Sequence, residues 1–169
     1  MQRNRYITLV LGSFLIISHW LSCSLSPAFS EIPEITFVGF SADSIDQGSL
    51  TSDSLFLTIG FRDGDGDLGS GATGVFRNIE LIDNRTGDPF TQFKVPDLDI
   101  AGAMTGIEGT ITMKLFTTCC LFPPDENIPP CSAPSQFPSD QLTLDIQLID
   151  DSGNESNTLT TTAITLLCN

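Results

Sequence analysis

Three stretches of this chain alternate apolar and polar side chains with a period of two, and that spacing constrains its fold more than any other feature. In DSLFLTIGF (residues 53–61), Leu55, Leu57, Ile59 and Phe61 fall on one face, with Ser54, Thr58 and Gly60 opposite. GTITMKLFT (109–117) repeats the pattern with Ile111, Met113 and Leu115 on one face and Thr110, Thr112 and Lys114 on the other. QLTLDIQLID (141–150) places Leu142, Leu144, Ile146 and Leu148 together, opposite Thr143, Asp145 and Gln147. Successive Cβ atoms of a strand point to opposite sides, so each stretch reads as a half-buried strand. Four weaker runs, EITFVGFS (34–41), VFRNIELID (75–83), FTQFKV (90–95) and LTTTAITLL (159–167), are separated from the others by clusters of Gly, Pro, Asn and Asp suited to turns. NRTGD (84–88) is the clearest hairpin turn. No stretch combines sustained helical spacing with capping residues, and no repeat recurs at a fixed period. Seven short strands in a length that suits one core predict an all-β domain over 34–169, an antiparallel β-sandwich.

If neighbouring strands alternate in direction, successive connections switch ends. The start of the domain, the loop after the second run and the loop after the sixth then share one pole. The long connection between the fifth and sixth runs shares the other pole with the C-terminus.

The N-terminus has the features of an export signal. Arg3 and Arg5 precede an apolar stretch, residues 6–18, that is too short to span a bilayer comfortably. The segment HWLSCS (19–24) resembles the lipobox of bacterial lipoproteins, in which a small residue precedes a cysteine that becomes the lipidated first residue. It departs from the usual pattern in having Trp20 at the typical leucine position and Leu21 one place nearer the cysteine. The resemblance implies a signal peptide over 1–22, lipidation of Cys23, and a tether over 23–33. Ser24 is compatible with outer-membrane sorting. The alternative is cleavage after Ala28-Phe29-Ser30, which would yield a soluble secreted protein. The expected location is the cell envelope, anchored to the outer membrane through the lipid.

Removing the signal deletes Arg3 and Arg5 and no acid, leaving 5 basic against 21 acidic residues, a net charge of −16. Such a chain repels phosphate backbones, so nucleic acid is excluded as a partner. His19, Trp20 and Tyr6, the only residues of their types, leave with the signal. The mature chain then lacks the commonest general base and the commonest nitrogen ligand for zinc, which argues against an enzyme.

FRDGDGDLGSG (61–71) sets Asp63, Asp65 and Asp67 on alternate positions with glycine between them. Calcium is often held by carboxylates spaced this way in a tight loop. Similar acidic loops occur in calcium-binding repeats, although here Leu68 stands at the EF-hand glycine position and Gly74 at that of the bidentate glutamate. Three carboxylates do not make a site. By the alternation of poles, the loop after the sixth run would supply the rest from Asp150, Asp151, Asn154 and Glu155, giving a Ca2+ site. The simpler alternative is a flexible acidic loop.

Apart from Cys23, the cysteines are Cys119, Cys120, Cys131 and Cys168, an even number in an exported chain. Adjacent Cys119 and Cys120 are poor partners for each other, so one is expected to pair with Cys131 and the other with Cys168. The intervening loop, 119–139, holds Pro123, Pro124, Pro129, Pro130, Pro134 and Pro138, which make it stiff. It reads as a lid over the core or, with Phe122 and Phe137 exposed as anchors, as a surface for a partner.

Finally, LTLDIQLIDDSGNESNTLTTTAITL resembles the closing hairpin of immunoglobulin-like modules in bacterial surface proteins, through its Asp150-Asp151-Ser152-Gly153-Asn154 turn. The resemblance implies an immunoglobulin-like sandwich, without the core tryptophan or tyrosine corner of antibody domains, and implies no function of its own. The expectation is a non-enzymatic envelope lipoprotein serving adhesion, scaffolding or accessory binding, with an envelope protein or glycan as partner. The alternatives are a carbohydrate- or peptide-binding module and a hydrolase using carboxylates.

Overall fold

The structure is a computed structural model that describes residues 29–49, 52–69, 77–96 and 106–169. The expected signal over 1–22, Cys23 and the expected tether up to residue 28 lie outside the described residues, as do Val75 and Phe76 at the start of the third run. The described chain is all-β. Its strands are β1 (Glu34–Phe40), β2 (Ser44–Asp46), β3 (Ser54–Asp63), β4 (Ile79–Asp83), β5 (Asp88–Phe93), β6 (Ile107–Phe116), β7 (Ser139–Leu142), β8 (Leu144–Leu148), β9 (Leu159–Thr160) and β10 (Ile164–Leu167).

Three sheets result, with orders β1-β3-β6, β2-β10-β7 and β5-β4-β8-β9. The longest pairing joins β3 and β6 antiparallel from Ser54 opposite Phe116 to Asp63 opposite Ile107. The apolar faces read from period two are the buried ones. Leu55, Leu57, Ile59 and Phe61 join Met113, Leu115, Leu142, Leu144, Ile146 and Leu148 in one core, together with Ile79, Leu81, Ile164 and Leu166. Ile111 is only partly buried against that core.

Two expectations need correction. One of the three sheets is mixed, because β2 runs parallel to β10, while the other two are antiparallel throughout. The seventh run is also two strands: β9 pairs with β8, and β10 pairs with β7 and β2. The change of sheet occurs at Thr161, whose hydroxyl accepts the Leu144 N–H at 3.0 Å, while its own N–H donates to the Leu144 carbonyl at 2.9 Å.

The 84–88 turn closes the β4–β5 hairpin. Gly87 adopts φ +77°, the left-handed conformation that glycine enters without a Cβ penalty, and its N–H donates to Asp83 O at 2.7 Å.

The pairing of the cysteines is resolved as Cys119–Cys131 and Cys120–Cys168, with Cα separations of 4.5 and 6.0 Å. The second bridge lies inside the core, with both cysteines buried. Phe122 and Phe137 are half-buried and pack on each other at 5.9 Å between ring centroids, so they are not exposed anchors. Beside them lies an unforeseen ion cluster. Arg85 donates from Nη2 to Asp83 at 2.6 Å and from Nη1 to Asp140 at 2.6 Å and to Cys119 O at 3.1 Å. Burial disfavours its charge, but hydrogen bonds to Asp83 and Asp140 outweigh that and hold its proton more firmly than usual.

A candidate cation site of four aspartates

The C-terminal end of β3 and the turn after β8 meet at one pole. Asp63 closes β3, and Asp65 and Asp67 follow in the loop. In the turn after β8, Asp150 O accepts the Gly153 N–H at 3.2 Å, and Asp150 N–H donates to Asn154 O at 3.1 Å. This closed turn brings the Asp150 carboxylate across to β3. One carboxylate oxygen from each of Asp63, Asp65, Asp67 and Asp150 lies within 4.8 Å of the others, a cluster able to hold a metal ion.

Proximity of acids alone would mean little, but the environment of these oxygens is unusual. Asp63 and Asp150 are each 0% exposed. Asp63 Oδ2 accepts the Asp67 N–H at 3.1 Å, whereas its Oδ1 is buried without a hydrogen-bond donor, as are Oδ1 of Asp65 and Oδ1 of Asp67. Buried carboxylate oxygens ordinarily find donors, because the cost of removing them from water is otherwise uncompensated. The Asp63 carboxyl is accordingly pushed up to about 7, by burial first and then by the charges of Asp65, Asp67 and Asp150. Asp67 is also raised, chiefly by burial, against the opposing hydrogen bonds it receives from Ser152.

The other expected ligands are placed differently. Asp151 is buried at 4% exposure but stands outside the group of four. Asn154 is beside the cluster as a donor: its N–H reaches Asp150 Oδ1 at 2.7 Å and its Nδ2 reaches Asp150 Oδ2 at 2.8 Å. These two bonds orient the Asp150 carboxylate. Glu155 also stands outside the group of four and accepts Gln147 Nε2 at 3.0 Å.

Asn78, which sequence reasoning passed over, fixes the pole. It is 1% exposed. Its Nδ2 donates to Ile149 O at 3.2 Å, its Oδ1 accepts the Val95 N–H at 3.3 Å, and its carbonyl accepts the Ile149 N–H at 2.7 Å. It thereby anchors the residue immediately before Asp150. Asn157 similarly ties the turn to β1, accepting the Ile35 N–H at 2.8 Å and donating to Ile35 O at 3.0 Å. Asn78 lies in one of the weaker strand runs and Asn157 between two runs, and neither residue type nor spacing marked them as anchors of the pole.

The donor set is uniformly carboxylate oxygen, which suits a hard divalent cation. No family model, curated protein or solved structure matches the chain.

Proposed function

We propose that this chain is a non-enzymatic, lipid-anchored module of the cell envelope, built on an immunoglobulin-like sandwich and stabilised by calcium at the four-aspartate cluster. Its role is adhesive, scaffolding or accessory binding. The observation that carries the reading is Asp63, wholly buried among three other carboxylates with an oxygen that receives no hydrogen bond. Calcium fits better than magnesium because it accepts irregular shells of six to eight oxygens, whereas magnesium demands octahedral geometry and retains water. The immunoglobulin-like assignment is supported by the grouping of the first, second and fifth sequence runs in one sheet. Further support comes from the third, fourth and sixth runs, which share another sheet with the start of the seventh. Lipidation at Cys23 and the outer-membrane location rest on the signal and the lipobox-like segment.

A carboxylate hydrolase would need substrate to reach Asp63 and Asp150, which are buried. A peptide- or carbohydrate-binding module has one observation in its favour: a cleft of about 550 Å³ between β5 and β6, lined by Phe90, Phe93 and Phe116 with Lys114.

The test combines mass spectrometry of the mature protein with titration calorimetry. A lipidated N-terminus at Cys23 and a calcium-binding isotherm are expected. An unmodified N-terminus at Glu31 removes the anchor, and absence of heat at millimolar calcium removes the cation.

A further inference from the structure

The four-aspartate pole also carries the first described residues of the chain. Ser30 O accepts the Gly64 N–H at 2.7 Å, and Glu31 O accepts Asn154 Nδ2 at 3.5 Å. The Arg62 guanidinium lies 5.6 Å from the centre of the Phe29 ring. Ser30 and Glu31 are thus held by the loop that bears Asp65 and Asp67 and by the turn that bears Asp150, while Phe29 packs on Arg62 near the end of β3. The approach is so close that a Cβ on Gly64 would stand 2.4 Å from Phe29 O and 2.5 Å from Ser30 O, which no side chain permits. Glycine at 64 therefore admits this segment, and its own backbone conformation does not require glycine.

A few residues further on, the attachment changes character. Ile35 is fixed by its two hydrogen bonds with Asn157, one donated and one accepted, and by its pairing with Phe61, none of which involves the four carboxylates. Between these two attachments lies Ile32, 56% exposed. The segment upstream of Ile32 is seated on cation-bearing loops, and the strand downstream is seated on the core.

We propose that the cation site is a clamp for the N-terminal segment: occupancy holds the 63–67 loop and the 150–154 turn in the arrangement that seats residues 29–31, and loss of the cation releases the segment as far as Ile32. The proposal rests on the cation reading above. Four carboxylates within 4.8 Å repel one another when no cation lies among them. The least costly relaxation is for the 64–67 part of the loop and the 150–154 turn to separate, because both lie outside the regular strands. That separation dismantles the seat of Ser30 and Glu31 while leaving the sheets intact. The cation would then set the direction in which the chain leaves the domain, and with it the orientation of the domain on its tether.

A glutamate-specific protease tests this on the full purified protein, by comparing cleavage after Glu31 with cleavage after Glu126 in the same digest. Glu126 lies in an exposed 3-10 turn, Pro124–Glu126, on the Pro-rich loop, and serves as the internal reference. Calcium at saturation, with binding verified by calorimetry, is expected to slow cleavage at Glu31 at least tenfold relative to Glu126. Gly64→Ala is expected to bind calcium yet lose that protection. An unchanged cleavage ratio with calcium bound overturns the clamp and leaves the cation site standing, as does protection that survives in Gly64→Ala. Absence of calcium binding overturns both, and a mature chain beginning at Glu31 overturns the clamp because Phe29 and Ser30 are then gone.

Discussion

Asp63 sits where burial and three neighbouring carboxylates all act against its charge. Its carboxyl titrates near 7 in the folded protein against 3.8 ordinarily. Between about pH 4 and 7 the cation-free folded chain therefore holds a proton that the unfolded chain has released. The contribution of this group to stability is fully present below that window and is lost as pH rises through it. Urea unfolding of the calcium-free protein should show this decline. Asp63→Asn is expected to flatten it, to raise calcium-free stability at pH 8 by on the order of 1 kcal/mol, and to abolish the response to calcium. A variant that keeps both the slope and the response contradicts the assignment. Asn78→Ala is expected to lose about 1–3 kcal/mol and to weaken calcium binding in calorimetry, since Ile149 O, in the residue before Asp150, loses its side-chain donor and the Val95 N–H loses its acceptor. The spacing of Asp63, Asp65 and Asp67 was readable directly, because it belongs to one short segment. The choice of Asp150 over its neighbour Asp151 was not, because it depends on the closed Asp150–Asn154 turn, and adjacent side chains in such a turn diverge.

Among the elements, the strands with clean alternation were legible because a period of two records which side faces the core. β2 was not, since Ser44–Asp46 offers one buried residue, Ile45, between two exposed ones. The break between β9 and β10 was also hidden, because a threonine-rich run fits either sheet equally well. The disulfides were legible as a count and as an exclusion of the adjacent pair, and their connectivity required the placement of Cys168 beneath Cys120. Chain-entropy reasoning assigns them different weights. Removing Cys119–Cys131, with a sequence separation of 12, should cost about 3 kcal/mol, and removing Cys120–Cys168, separated by 48, about 4 kcal/mol. Thermal unfolding of the two paired serine variants checks the order, which the buried position of the second bridge reinforces. Arg85→Leu is expected to cost about 3 kcal/mol in the same assay, because it leaves Asp83 and Asp140 facing each other without their shared cation. Equal stability in that variant would mean the cluster is solvated instead of structural.

At the scale of the whole molecule, the fold separates two kinds of chemistry. The pole formed by Asp63, Asp150 and residues 29–31 is acidic and open to adjustment by a cation. The region of the bridges and the Arg85 cluster is held covalently and by ion pairs formed within the chain. The alternation of strand directions anticipated that the triple-aspartate loop and the last turn would share a pole, and the cluster of four carboxylates requires it. The charge of the chain follows the same division, since most of its acids are solvated and only a few are collected where a cation can offset them. Calcium at a hundredfold excess over its dissociation constant should stabilise the protein by about 3 kcal/mol.

A crystal structure determined from protein grown with millimolar calcium, and phased to reveal anomalous scatterers, is the most direct measurement. A calcium peak bounded by the carboxylates of Asp63, Asp65, Asp67 and Asp150 is the predicted result. Density showing those four carboxylates splayed into solvent, with no peak between them, would contradict it.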